Sequence, residues 1–223
     1  MKLPNLHILE IVAESIKIIT SRQQLRRFLA TPLYSNAVYL IADAVITGLF
    51  SFLFWVLVAR FYAEAEVGYS SAIISVISFL TILSLLGFNA SLIRFLPQDE
   101  KPQEFINSCF TLASLTSLVI AGIFLAGLHI WSPALVFIRE NAVFVAAFII
   151  FTLMLTLSFL MNAVFIAKRR AGFSLSKNII FSLLKIPLPV LFVLFFHTFG
   201  IVASWGIALG IAVAVSLFLF LPR

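Results

Sequence analysis

Residues 141–167 read NAVFVAAFIIFTLMLTLSFLMNAVFIA, a run that contains no charged residue, no proline and no glycine. An α-helix rises about 1.5 Å per residue, so about 20 apolar residues cross the hydrocarbon core of a bilayer. The run is longer than that minimum and carries only a few hydroxyl and amide side chains. It therefore predicts a helix that spans a membrane.

The composition extends this prediction to the whole chain. Of its 223 residues, 62% are hydrophobic and 11% are charged, whereas a soluble domain has about 45–50% apolar and about 25% charged residues. A chain of this length cannot enclose so much apolar surface in a water-soluble core, so lipid has to cover much of it. The sequence predicts an all-α, polytopic membrane protein.

Apolar runs separated by short polar connections predict six spans in all. These lie at about 36–59, 70–95, 105–130, 141–167, 177–197 and 199–221. Residues 31–223 are therefore predicted to form one six-helix transmembrane bundle. Residues 1–30 are interpreted as a cytoplasmic amphipathic segment on the inner leaflet or, alternatively, as a cluster of charges that only sets the topology.

The net charge of +6 is distributed unevenly between the two predicted sides. If the N-terminus is cytoplasmic, the other side holds only Arg60 and Arg139. The cytoplasmic side then holds twelve basic residues, namely Lys2, Lys17, Arg22, Arg26, Arg27, Arg94, Lys101, Lys168, Arg169, Arg170, Lys177 and Arg223. This bias predicts a protein of the cytoplasmic membrane with both termini in the cytoplasm. The basic charge is thereby explained by topology, and we expect no nucleic-acid partner.

Motifs for enzymatic chemistry are absent from the sequence. It contains no H-E-x-x-H metal motif, no G-x-S-x-G nucleophile elbow and no Walker-type phosphate loop. Cys109 is the only cysteine, and the three histidines are scattered. We therefore expect no enzymatic activity, no metal site and no cofactor.

Two ionisable residues lie inside predicted spans, where a charge is costly and is a functional candidate for that reason. Asp43 is the eighth residue of the first predicted span and Lys185 the ninth of the fifth, counted from the predicted cytoplasmic end. Both are thus predicted at a depth of roughly 12–14 Å. Two compatible interpretations remain: an ion pair that holds the helices together, and a pair that opens when a substrate or a proton arrives.

The fifth predicted span also contains two prolines, Pro187 and Pro189, directly after Lys185. Proline removes a backbone donor and clashes with the preceding turn, so a helix break is expected here. Interrupted helices near the midplane are common at transporter binding sites, although a simple packing kink is the alternative. Further candidates to line a substrate path are the polar residues Asn36, Asn89 and Arg94.

Residues 48–97, GLFSFLFWVLVARFYAEAEVGYSSAIISVISFLTILSLLGFNASLIRFLP, carry a recognisable pattern. They resemble the N-terminal part of polysaccharide-biosynthesis flippases, the Wzx-like or PST-type exporters of the multidrug/oligosaccharidyl-lipid/polysaccharide superfamily. The likeness extends more loosely over the rest of the chain, including the basic loop at 167–170. The matching features are Phe54–Trp55, Ala59–Arg60, Tyr62, Glu66–Gly68, Gly87 and Leu92–Pro97.

The resemblance implies two six-helix lobes around a cavity that alternates between the membrane faces. It implies transport of a lipid-linked oligosaccharide, with Lys185 and Arg94 facing its pyrophosphate and with coupling to H⁺ or Na⁺. Members of the family generally have twelve or more spans, so we expect this lobe to need a second one, from a missing C-terminal half or an oligomer. Two alternatives remain: a cation-coupled multidrug or small-molecule exporter that uses Asp43, and a membrane assembly subunit that transports nothing.

Overall fold

The structure is a computed structural model that describes residues 32–193 and 198–220. All regular secondary structure in these two ranges is helical. The predicted amphipathic segment at 1–30 lies outside the described residues, and so do residues 194–197 at the end of the predicted fifth span. The helices are α1 (Pro32–Phe61), α2 (Glu64–Ser84), α3 (Phe88–Phe95), α4 (Pro102–Ala126), α5 (Leu128–Trp131), α6 (Ala142–Ala167), α7 (Ala171–Lys185), α8 (Pro187–Phe192) and α9 (Thr198–Val215).

Six segments are long and apolar enough to cross a membrane, which confirms the all-α polytopic prediction. They are Tyr34–Phe61, Glu64–Ser84, Pro102–Ala126, Ala142–Ala167, Ala171–Phe192 and Phe199–Leu219. Short 3₁₀ segments, Leu96–Gln98 and Pro133–Glu140, connect some of them. The predicted fourth span matches its helix within one residue, because a run without breakers leaves no other choice of boundary.

The second span differs from its prediction at both ends. Its helix begins at Glu64 and ends at Ser84, whereas a continuous helix over 70–95 was expected. Leu86 and Gly87 adopt positive φ angles of 45° and 82°, which terminate the helix and start α3 in a new direction. A Cβ on Gly87 would meet nothing within 4 Å, so its backbone conformation rather than close packing requires glycine there.

The fifth span also begins six residues earlier than predicted, at Ala171. The stretch Ala171–Ser176 is only moderately apolar, but it contains no charge and no proline, so the helix starts directly after the basic loop. The span is divided into α7 and α8 at Ile186, immediately before Pro187. This earlier start changes the depth of every residue in the helix.

The bundle is organised around α6, which packs against α2, α3, α4, α7 and α9. Helix α9 is largely enclosed and contributes Ile201, Leu209 and Val213 to the main hydrophobic core. Helix α1 lies at the rim, where its main neighbour is α7 and its outer face exposes large apolar residues such as Ile41 and Phe52. The contact between α1 and α7 therefore decides which polar residues of the two helices meet.

Candidate functional site: the polar seam between α1 and α7

Helices α1 and α7 run side by side in the same direction. Asn36 meets Ala171, Asp43 meets Asn178, and Ser51 meets Lys185, with sequence separations of 135, 135 and 134 residues. A constant separation of this kind means that the two helices are parallel and in a fixed register. We refer to these three pairs together with Thr47 as the α1–α7 seam.

At the first end of the seam, Asn36 fastens the start of α7 to α1. Its Nδ2 donates to the carbonyl oxygen of Arg169 at 2.9 Å, and its Oδ1 accepts from the backbone N–H of Ala171 at 2.8 Å. The first amides of a helix lack partners within the helix, and a side-chain oxygen satisfies one of them here. Arg169 precedes the helix with a φ of 54°, which makes the turn tight.

In the middle of the seam, Asp43 is held by an amide. Nδ2 of Asn178 donates to Oδ1 and Oδ2 of Asp43 at 2.9 and 2.8 Å, and Oγ1 of Thr47 donates to Oδ1 at 3.4 Å. The carboxylate is half-buried and also interacts electrostatically with Lys177. An anionic group inside a span thus has donors and a cation nearby, as its desolvation requires.

At the far end of the seam, Lys185 lies 3% exposed at the break between α7 and α8. Its Nζ donates to Oγ of Ser51 at 2.8 Å. The ring centroids of Phe181 and Phe54 lie 4.9 and 5.8 Å from Nζ, within cation–π range. The ammonium of Lys185 has three N–H donors, and its partners are one hydroxyl and two aromatic rings, which carry no charge. This cation can therefore attract an anionic ligand.

Lys177 is a second buried lysine of α7, and the sequence analysis missed it. It is 1% exposed, and its Nζ donates to the carbonyl oxygen of Ser158 at 3.2 Å and to the Ser158 hydroxyl. The sequence interpretation counted it among the cytoplasmic basic residues, because the span was predicted to begin at residue 177. Residues 171–176, which precede it, carry no charge, and this feature of the sequence indicates that the helix begins earlier than residue 177.

The expected ion pair between Asp43 and Lys185 is wrong. The fifth span begins at Ala171, so Lys185 lies fourteen residues along it and Asp43 nine residues along the first span. At about 1.5 Å per residue these depths are about 21 and about 14 Å. Each residue has its own partner across the seam, and Lys177 is the lysine with which Asp43 interacts.

Arg94 and Asn89 lie away from the seam, on α3. That helix packs mainly on α6, and it has no extensive contact with α1 or α7. Arg94 is exposed, and its guanidinium carbon lies 5.3 Å from the ring centroid of Phe95. The structure therefore brings together Asn36, Asp43 and Lys185 of the predicted candidates, and it separates them from Arg94 and Asn89.

The first turn of α8 is tied to the connection between the first two spans. The hydroxyl of Tyr62 donates to the carbonyl oxygen of Pro189 at 2.7 Å, beside the proline break. Burial of the phenol, with a smaller contribution from the charge of Glu66, raises the pKa of Tyr62 to about 12. The phenol therefore stays protonated and keeps donating at physiological pH.

A cleft of about 660 Å³ lies next to Asn36, between the first turns of α1 and α7. We call it the basic cleft, because Arg169 and Arg170 line it. The other lining residues include Ser35, Tyr39, Phe173 and Ser176. No group of three or more His, Cys, Asp or Glu residues that could hold a metal ion occurs in residues 32–193 and 198–220.

These features define a class of protein: a multi-pass helical membrane protein with buried charges along one interhelical seam. Residues 33–221 match the family model described as polysaccharide biosynthesis protein, which is most of the chain. The chain belongs to that family, whose members have a transport-type role in the membrane. The resemblance inferred from residues 48–97 is thereby confirmed at the level of the polysaccharide biosynthesis family. Comparisons with curated proteins and with solved structures gave no match.

Proposed function

We propose that this chain is one lobe of a flippase that carries a lipid-linked oligosaccharide across the cytoplasmic membrane by alternating access, without chemical change to the substrate. The family membership supports a role in polysaccharide export. We further propose that it acts as a Wzx-like or PST-type exporter. No catalytic step is needed for this task, since the protein only has to shield a polar headgroup from the hydrocarbon core.

The observation that carries the proposal is the pair of buried lysines on α7, Lys177 and Lys185, which are 1% and 3% exposed. A charged side chain at the centre of a membrane helix costs about 2.5–3.5 kcal/mol on insertion scales. Within residues 32–193 and 198–220, the partners of Lys185 are a hydroxyl and two aromatic rings, and no carboxylate there pairs with its charge. A pyrophosphate that reaches the seam would supply that missing negative charge.

The orientation and the second lobe are part of the same proposal. With Lys177 buried, eleven basic residues remain on the side proposed as cytoplasmic against two on the other, so the bias persists and both termini are assigned to the cytoplasm. A second six-helix lobe, from a longer chain or an oligomer, would form the other wall of the cavity. We propose that helix α1, which lies at the rim and packs mainly on α7, faces this wall.

The test is a flipping assay in proteoliposomes with a fluorescent lipid-pyrophosphate sugar, using the protein together with any subunit that remains bound through purification. We expect Lys185→Gln to lower the rate by about tenfold or more. Lys101→Gln is the matched control, since Lys101 is an exposed lysine paired with Glu104 at 3.0 Å. Equal rates for wild type and Lys185→Gln would exclude Lys185 from the substrate path.

A second function is favoured by one observation, the carboxylate of Asp43 inside the first span with an amide and a hydroxyl as donors. It is a cation-coupled exporter of small amphipathic molecules, in which H⁺ or Na⁺ binding at Asp43 would drive transport. In that case Asp43→Asn abolishes drug efflux, whereas Lys185→Gln has little effect. A membrane assembly subunit is the third alternative, and it predicts that neither substitution changes transport of any substrate.

A further inference from the structure

The basic cleft is lined by both polar and apolar residues. Two arginines, Arg169 and Arg170, and two serines, Ser35 and Ser176, are among the residues that line it. Phe173, Leu175 and Ile179 are apolar residues of the lining. A volume of about 660 Å³ lies within the range of ordinary small-ligand sites and exceeds what a single phosphate needs. The chemistry therefore fits an amphipathic ligand with an anionic head.

Phosphate and diphosphate groups are the anions that two adjacent arginines recognise best. Each guanidinium is a planar fork of five N–H donors that matches phosphate oxygens in pairs, and it keeps its charge at any physiological pH. Arg169 and Arg170 are exposed on the loop before α7. The fifteen-residue helix α7 also begins at this loop and contributes its positive end to the same region.

The position of the cleft connects it to the seam. Tyr39 lines the cleft one helical turn before Asp43, and Ser176 and Ile179 line it on either side of Asn178. A headgroup that leaves the cleft along α1 and α7 would next meet Asp43 and Asn178, and after two further turns Lys185. Arg94, the arginine expected from the sequence to meet an incoming phosphate, lies on α3 and does not line this cleft.

We propose that the basic cleft is the loading site for the diphosphate of the lipid-linked substrate, with Arg169 and Arg170 as the residues that bind it. This inference rests on the proposed flippase function and on its orientation. The cleft holds the headgroup at the membrane surface, and the α1–α7 seam receives it when the lobe changes conformation. The recognition step is thereby separate in space from the buried Lys185.

The test measures binding rather than transport. A fluorescent polyprenyl diphosphate is titrated into the protein in nanodiscs of uncharged lipid. We expect the double variant Arg169→Gln with Arg170→Gln to bind about tenfold or more weakly than wild type, because both charge-assisted contacts are lost. The matched control is Lys101→Gln with Lys168→Gln, which removes the same charge from residues that do not line the cleft. We expect this control to stay within about twofold of wild type.

Two further measurements test whether the cleft prefers a diphosphate to an ordinary lipid phosphate, and whether its shape contributes to binding. Inorganic pyrophosphate should compete with the probe in wild type, since the arginines contact the head, whereas phosphatidylglycerol should compete poorly. Ser176→Phe narrows the cleft while both arginines remain, and it should weaken probe binding as well. Equal binding by wild type and the arginine variant would overturn the proposal, as would equal losses in the lysine control or equal competition by phosphatidylglycerol.

The same variants distinguish a failure of the proposed loading site from a failure of the proposed flippase function. Lys185→Gln should lower the flipping rate by about tenfold or more, whereas the double arginine variant should lower the affinity for the probe. If wild type binds the probe through the arginines but no lipid is flipped, the flippase function fails and the diphosphate site stands. If flipping proceeds at the wild-type rate in the double arginine variant, the loading site fails and the flippase function stands.

Discussion

Asn178 clamps Asp43 by donating from one amide nitrogen to both carboxylate oxygens, at 2.9 and 2.8 Å. The two residues are 135 positions apart in the chain, and they lie where the first and fifth spans run parallel. The amide supplies a hydrogen-bond donor to a carboxyl group inside a membrane-spanning helix, where a polar group needs a partner. This contact is the middle one of the three pairs that define the register of the α1–α7 seam.

Asn178→Leu should lower the free energy of unfolding by about 1–3 kcal/mol, because the half-buried carboxylate loses its amide donor. Denaturation in SDS, followed by tryptophan fluorescence, measures this change. Asn107→Leu is the matched control, since Asn107 is exposed on α4. If both substitutions have the same effect, the contact between Asn178 and Asp43 contributes nothing to stability.

Lys185→Met should separate stability from transport. Replacing a buried charge by an apolar side chain of similar length is often neutral or stabilising, so we expect the midpoint of unfolding to stay the same or rise. Transport of a lipid-diphosphate substrate should fall because the cation is gone. A variant that loses stability and transport in proportion would instead indicate that Lys185 is a structural residue.

Lys177 and Asp43 should be energetically coupled. Lys177→Met leaves the carboxylate without its ammonium, whereas Lys177→Met combined with Asp43→Asn removes both charges. In a double-mutant cycle we expect a coupling free energy of about 1 kcal/mol or more, within the usual range for interacting residues. The same cycle with Lys185→Met in place of Lys177→Met should be closer to additive, since Lys185 contacts Ser51. Additivity in the Lys177 cycle would contradict this assignment.

The phenol of Tyr62 should lose its proton at a higher pH than an ordinary tyrosine. Its pKa rises from an ordinary value near 10 to about 12 in the folded protein, with burial as the main cause. Because the folded pKa is raised, its contribution to stability is fully present below about pH 10 and is lost as the pH approaches and passes about 12. Ultraviolet titration of wild type against Tyr62→Phe isolates this phenol, and Glu66→Gln should lower its pKa only partly.

Gly87→Ala should destabilise the break between α2 and α3. Gly87 has a φ of 82°, which costs an alanine roughly 1 kcal/mol even though the surrounding space is open. Gly68 is the matched control, since it lies within α2 with nothing within 4 Å of a Cβ and no positive φ. Thermal unfolding of the two alanine variants should show a loss for Gly87→Ala and none for Gly68→Ala.

The sequence by itself determined the class, the number of spans and three of the seam residues, Asn36, Asp43 and Lys185. Length and apolarity decide whether a helix can cross a bilayer, so six runs give six spans regardless of how they pack. A charge in such a run is conspicuous for the same reason, and Asp43 and Lys185 were found in this way. The family, too, was recognisable from the order of short motifs in residues 48–97 and is confirmed over 33–221.

Only the tertiary structure decided which of these residues meet. Depth in a helix depends on where the helix begins, and the uncharged start of α7 at Ala171 moved Lys185 away from Asp43 and buried Lys177. Which residues the charged side chains contact depends on how the helices are aligned, and the pattern of one sequence does not specify this alignment. The contacts with Asn178, Ser51 and Ser158 were therefore found only from the packing. By hydropathy alone, residues 70–95 form one continuous span, but the positive φ angle of Gly87 interrupts the helix. Arg94 therefore lies on a separate helix, α3.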